Sequence, residues 1–182
     1  MSSGRRPYLV VMGVTGCGKT TIARRVADLL SLEFLDADSL HPQSNIDKMT
    51  AGTPLTDADR APWLEAVRAA MRSRGSGCVV ACSALRRWYR DVLRDVPEPV
   101  AFVHLDGDPA TIRSRISSRS GHFMQPALLD SQLDLLEPLE PDEPGIVLDI
   151  SHAPDEIARA AVEFARTCRT GERRGHTGDD QL

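Results

Sequence analysis

Strand-like runs recur along the chain at 8–12, 33–36, 78–82, 100–105 and 146–150, and helix-like segments separate them. The first run, Tyr8-Leu9-Val10-Val11-Met12, is apolar throughout, which suits a strand buried on both faces of a sheet. After it, Ile22, Val26, Leu29 and Leu30 fall at the spacing of one helix face. This alternation predicts an α/β domain: a parallel five-stranded sheet joined by crossover helices and flanked by them. Several runs end in a polar or acidic residue. Ligands of such sheets bind beyond the carboxyl ends of the strands, so chemistry is expected there.

Three segments depart from the pattern, and one further helix closes it. Residues 41–63 are polar, contain Pro42, Gly52, Pro54 and Pro62, and show weak helix periodicity. A connection that long is expected to be functional or mobile. Residues 137–145 are acidic, hold three prolines and read as a loop. A last helix is expected over 154–166, with Ser151 or His152 near its cap and Pro154 at an early position. The tail 170–182 is rich in glycine and charge with one aliphatic residue, a composition expected to be disordered. Residues 1–169 then form one domain.

Composition narrows the function only slightly. At 182 residues, 41% hydrophobic and 26% charged, the chain has an ordinary soluble make-up. A net charge of −4 argues against a nucleic-acid partner. No stretch reaches the roughly 20 apolar residues of a membrane span, and no apolar targeting segment precedes the first strand. The four cysteines Cys17, Cys78, Cys82 and Cys168 form no C-x-x-C pair, which argues against a zinc site and for a reducing, cytoplasmic setting.

The strongest chemical signal follows the first strand. Gly13-Val14-Thr15-Gly16-Cys17-Gly18-Lys19-Thr20 fits the phosphate-loop pattern G-x-x-x-x-G-K-[ST] at every required position, between a strand and a helix. Glycines let successive backbone N–H groups point inward, and the helix N-terminus adds positive potential. Lys19 is expected on the β- and γ-phosphates and the Thr20 hydroxyl on Mg²⁺. Gly13, Thr15, Gly16, Cys17, Gly18, Lys19, Thr20 and Thr21 make up the nucleotide-binding set. The loop predicts a nucleoside triphosphate ligand. A guanine-reading Asn-Lys-x-Asp motif is absent, which argues against a GTPase.

Three further clusters bear on what the loop serves. Asp36 and Asp38 end the second strand; if that strand continues, their i, i+2 spacing points both to one side. Asp36 then suits a metal-bound water and Asp38 the proton of an attacking hydroxyl. The alternative is a solvated strand end. Arg113, Arg115 and Arg119 precede Gly121-His122-Phe123-Met124. Arg115 and Arg119 share a helix face and suit a lid whose guanidinium groups meet the transferring phosphoryl oxygens. Arg86, Arg87 and Arg90, with Trp88 and Tyr89, follow the third strand and suit an anionic, hydroxylated ligand. An ordinary basic surface helix is the alternative for both arginine clusters.

With these residues in view, the chain resembles the small P-loop gluconate kinases, related in fold to shikimate and adenylate kinases. The likeness runs from Val10 to about Ile150. It rests on the phosphate loop, on Leu35-Asp36-Ala37-Asp38-Ser39-Leu40-His41-Pro42, on Asn45-Ile46-Asp47-Lys48-Met49, on the stretch from Gly52 to Leu64, on Cys82-Ser83-Ala84-Leu85-Arg86-Arg87-Trp88-Tyr89-Arg90-Asp91 and on Gly121-His122-Phe123-Met124. Departures are small: Thr20 for a common serine, Cys17 for serine or alanine, and Ser120 where lysine often stands.

The resemblance implies ATP- and Mg²⁺-dependent phosphorylation of D-gluconate at its 6-hydroxyl, in a cytoplasmic homodimer. It makes 41–64 the substrate segment and 111–124 the lid. Arg60 and Arg86 become candidate carboxylate forks. Asp38, His41, Lys48 and His122 become further substrate contacts, and Arg115 and the turn at 151–154 border the adenine. Lys19, Asp38, Arg115 and Arg119 form the expected catalytic set, with Thr20 and Asp36 at the metal. Another kinase of this fold, such as a shikimate kinase, and a nucleotide-binding regulator without turnover are the rival readings. Residues 52–64 argue against the first, and Asp38 with the Arg60 and Arg86 segments argues against the second.

Overall fold

The computed structural model describes residues 8–75, 77–118 and 126–170. Its strands are β1 (Tyr8–Met12), β2 (Glu33–Asp36), β3 (Cys78–Ala81), β4 (Val100–Asp106) and β5 (Gly145–Asp149). Its helices are α1 (Lys19–Leu30), α2 (Gln43–Thr50), α3 (Asp57–Arg72), α4 (Arg87–Arg94), α5 (Pro109–Ser117), α6 (Pro126–Leu135) and α7 (Pro154–Thr170), with a 3-10 turn at Ala37–Leu40.

The five strands form one parallel sheet in the order β2-β3-β1-β4-β5. β1 lies at the centre, with Val10 opposite Val80 of β3 and Phe102 of β4. All five of its residues are buried, as the unbroken apolar run requires. Helices α1 and α7 pack together against the sheet, and α3 packs with α4. Trp63, Leu64, Val67 and Met71 anchor α3 in the core at helical spacing.

The segment 41–63 is more regular than its polar composition predicts, because it contains α2 and the first part of α3. A capping box starts α3: the Thr56 hydroxyl accepts from Asp59 N, and the Asp59 carboxylate accepts from Thr56 N at 2.8 Å. That cap and the burial of Trp63 and Leu64 offset the backbone hydrogen bond lost at Pro62. The last helix begins at Pro154 as expected, but the Glu156 carboxylate, not Ser151 or His152, holds the N–H at its start, accepting from Ala153 at 3.2 Å. It runs to Thr170, four residues beyond the expected end. Residues 171–182 lie outside the described residues.

Candidate active site

The phosphate loop leaves the carboxyl end of β1 and enters α1. Gly13 has φ 137°, and a Cβ there would lie 2.7 Å from the Leu105 carbonyl oxygen, so only glycine fits. Gly16, at φ 80°, lies under α5: a Cβ would meet Ile116 Cγ1 at 2.6 Å. Gly18, at φ 100°, leads directly into Lys19, the first residue of α1. The turn thus carries successive backbone donors to a helix N-terminus, the arrangement that suits phosphate. Lys19 Nζ donates to the Val14 carbonyl at 2.9 Å. Cys17 is buried, and burial pushes its thiol up, so it serves as packing within the loop. Thr20 and Thr21 are exposed at the start of α1.

A cavity opens beside the loop. Thr15, Lys19, Asp38, His41, Leu55, Arg60, Trp63, Ser83, Leu85 and Gln132 are among the residues that line it. It brings together the loop, the 3-10 turn, the start of α3, the end of β3 and helix α6. Four of the residues singled out from the sequence for transfer or acceptor binding therefore share one space: Lys19, Asp38, His41 and Arg60.

The two carboxylates after β2 are arranged differently from the expectation. The strand ends at Asp36 and a 3-10 turn begins, so the i, i+2 argument does not apply. Asp36 Oδ1 accepts from the backbone N–H of Asp38 at 3.1 Å and caps that turn. Asp38 lines the cavity; Asp36 is not among the lining residues.

Aromatic packing sets the position of His41. Its ring stacks on Trp63 at 4.3 Å between centroids, and Trp63 Nε1 donates to the Ala37 carbonyl at 2.7 Å. The Asn45 amide donates to the Asp59 carbonyl at 2.9 Å and faces His41 Nδ1 at 3.2 Å. Nδ1 is then the acceptor, and the neutral ring carries its proton on Nε2. Burial lowers the His41 pKa; Arg60 lowers it further, against an opposing pull from Asp38.

Arg60 is buried within the wall. Its Nη1 donates to the Leu55 carbonyl at 2.7 Å and to the Tyr89 hydroxyl at 3.3 Å. Tyr89 in turn donates to Asp57 at 2.6 Å, and Asp57 pairs with Arg86 at 2.7 Å. Arg86 is therefore tied to the cavity through Asp57 and Tyr89 and is not itself among the lining residues. Lys48 is likewise not brought to the cavity. Its ammonium holds both oxygens of Asp59 at 2.7 and 2.9 Å, and with the Thr56 contacts this keeps the Asp59 carboxyl down at about 2.

Arg115 is not among the residues that line this cavity. Its Nη2 donates to the Ile150 carbonyl at 2.9 Å, beside a second cavity lined by Gly107, Thr111, Ile150 and Ser151. That cavity lies where the adenine is expected. Arg119 and His122, with the rest of Gly121-His122-Phe123-Met124, fall outside the described residues.

Sequence reasoning missed Gln132, Tyr89 as a linker, and the Arg90–Glu143 pair. Gln132 Oε1 accepts from the loop N–H of Thr15 at 2.6 Å, across 117 positions of sequence. No local signal marks such a contact; only the approach of α6 to the phosphate loop creates it.

Residues 9–139 match the family model described as an AAA domain. The chain is 46% identical over 163 residues to the gluconokinase of Gluconobacter oxydans, covering 87% of this chain and 92% of that one. It is 45% identical over 179 residues to the thermosensitive gluconokinase of Escherichia coli, covering 94% and 96%. The crystal structure of a gluconokinase from Sinorhizobium meliloti matches with a TM-score of 0.84 at 40% identity, over 91% of this chain and 95% of that one. An APS kinase from Mycobacterium tuberculosis matches at a TM-score of 0.64 and 20% identity over 88% and 98%, which shows the shared fold alone.

Proposed function

The chain belongs to the gluconokinase family, and from that premise we propose that it transfers the γ-phosphoryl group of ATP to the 6-hydroxyl of D-gluconate, giving 6-phospho-D-gluconate and ADP. One observation carries the reading: a single cavity is lined both by the phosphate loop, through Thr15 and Lys19, and by Asp38, His41 and Arg60. Phosphoryl donor and polyhydroxy acid can meet there.

In this mechanism the loop N–H groups and Lys19 hold the β- and γ-phosphates. The acceptor oxygen forms a bond to the γ-phosphorus as the bond to the β–γ bridging oxygen breaks. Asp38 orients the acceptor hydroxyl and takes its proton. The transition state is loose, so placement and charge weigh more than proton abstraction. Arg60 supplies a guanidinium for the gluconate carboxylate, and His41, as a neutral ring, meets a hydroxyl. Arg86 acts at one remove, by holding Asp57. Arg115 borders the nucleotide and, with Arg119, belongs to the lid 111–124; residues 41–64 are the acceptor segment of a single domain 1–169.

Mg²⁺ would suit oxygen donors such as the Thr20 hydroxyl at the loop's end and the Asp36 carboxylate at the end of β2, whose Oδ1 also caps the following turn. When bound it would neutralise charge between the β- and γ-phosphates. Among the described residues no helix is long and apolar enough to cross a membrane. On this reading the enzyme works as a homodimer in the cytoplasm, and sedimentation in solution tests the dimer. The test of the reaction is the product: ³¹P and ¹³C NMR after incubation with ATP and gluconate should place the phosphate on C6. A phosphate on any other carbon would overturn the proposed orientation.

A further inference from the structure

We propose that Gln132 couples the two substrates: it holds the loop N–H that the γ-phosphoryl group needs, and on ATP binding passes to the acceptor. This role rests on the reading of the cavity as the site of transfer to gluconate.

Several donors of the phosphate loop are satisfied internally: Gly13 N–H by the Ser83 carbonyl at 3.2 Å and Cys17 N–H by the Val14 carbonyl at 3.4 Å, besides the two that bear on the site. Thr15 N–H is bound by Gln132 Oε1 at 2.6 Å, and Lys19 Nζ by the Val14 carbonyl at 2.9 Å. The Lys19 contact stays within the loop. The Thr15 contact comes from α6, which also contributes Leu128 and Ser131 to the cavity wall. The side chain that bonds Thr15 from outside the loop is thus on the acceptor side of the site.

A neutral carboxamide oxygen is a weaker partner for an N–H than a phosphoryl oxygen, since charge-assisted hydrogen bonds are shorter and stronger. A γ-phosphoryl group at the loop therefore displaces Gln132 from Thr15. The displaced side chain remains on α6 beside Asp38, Arg60 and His41. Asp38 only accepts and Arg60 only donates, whereas a carboxamide does both, which matches a hydroxyl that also does both. Gln132 gains its second partner only when the γ-phosphoryl group has taken the first.

ADP lacks the displacing group, so it should not produce the effect. The two nucleotides separate this role from simple bracing of the loop. The experiment measures gluconate affinity by calorimetry with saturating ADP and with a non-hydrolysable ATP analogue, in wild type, Gln132→Ala and Gln132→Glu, alongside steady-state kcat and KM. Wild type should bind gluconate more tightly with the analogue than with ADP, by roughly the 5- to 150-fold usual for coupling between two sites. Gln132→Ala should abolish that ratio, raise the KM for gluconate more than it lowers kcat, and bind the analogue no more weakly. Gln132→Glu keeps an oxygen on Thr15 but adds charge, so it should weaken the analogue more than ADP.

The proposal is overturned if wild type shows no such ratio, if Gln132→Ala retains it, or if Gln132→Ala weakens ADP and the analogue equally. Absence of gluconate turnover by wild type overturns the substrate reading and this role with it. Normal turnover with an unchanged ratio overturns the role of Gln132 alone.

Discussion

Arg90 and Glu143 form a bidentate pair in which both side chains are fully buried: Nε donates to Oε1 at 2.6 Å and Nη2 to Oε2 at 2.8 Å. The remaining guanidinium hydrogens reach the carbonyls of Ala84, Leu85, Glu137 and Pro138. Burial pushes the Glu143 carboxyl up, but Arg90 and the Glu140 N–H outweigh it and hold it down. The pair fastens α4, the loop after α6 and the turn after β3, where Ala84 has a φ of 43°. Leu85 of that turn lines the cavity. Arg90→Ala strands a buried carboxylate and should lower stability by about 3–5 kcal/mol. Urea denaturation measures it; a loss under about 1 kcal/mol would show that the pair does not organise the turn.

Tyr89 joins Arg60 to Asp57 and Arg86. Burial, then its bond to Asp57, pushes the phenol up to about 12, so it stays a donor at neutral pH. Tyr89→Phe removes the hydroxyl and keeps the ring. A hydrogen bond to a charged group contributes about 1.5–3 kcal/mol, so the KM for gluconate should rise about tenfold or more, with the KM for ATP unchanged. Equal rises in both would show that Tyr89 braces the whole site and does not set Arg60.

His41 should titrate below its ordinary value of 6.5, because burial against Trp63 disfavours the imidazolium. The sign follows from proton binding. Between the lowered folded pKa and 6.5 the unfolded chain binds more protons, so stability falls as the pH drops through 6.5 toward the folded value. NMR titration of the His41 ring gives the midpoint. A midpoint at or above 6.5 would mean that the ring pairs with Asp38 as a cation.

Lys19→Ala and Asp38→Asn separate donor from acceptor chemistry. Losing one electrostatic donor to the transferring group typically lowers kcat by about 10²–10³, and Lys19→Ala should do so with the fold intact, as it removes no core volume. Asp38→Asn should lower kcat with ATP affinity kept. Loss of gluconate binding in Asp38→Asn, with kcat preserved at saturation, would make Asp38 a binding group and not the proton acceptor.

The strands and the phosphate loop were legible because their signals are local. An apolar run such as 8–12 can only be a buried strand or a short buried helix stretch, and the glycine pattern after it excludes the helix. Residues 41–63 misled because polar composition hides helices whose stability comes from caps and a few anchors, here Thr56, Asp59 and Trp63. Arg60 and His41 line the cavity, whereas Lys48 and Arg86 do not. A basic side chain looks the same in sequence whether it meets a substrate or a carboxylate of its own chain, and Asp59 and Asp57 claimed these two. Gln132 was invisible because its partner lies across the fold.

The most direct test of the central claim is ATP turnover against a panel of acceptors. In a coupled ADP-release assay the enzyme should turn over rapidly with D-gluconate and only marginally with shikimate, AMP or hexoses, because a site that hydrogen-bonds one ligand's groups rejects analogues lacking them by factors of about 10⁴ or more. Strong turnover with shikimate and none with gluconate would contradict the account.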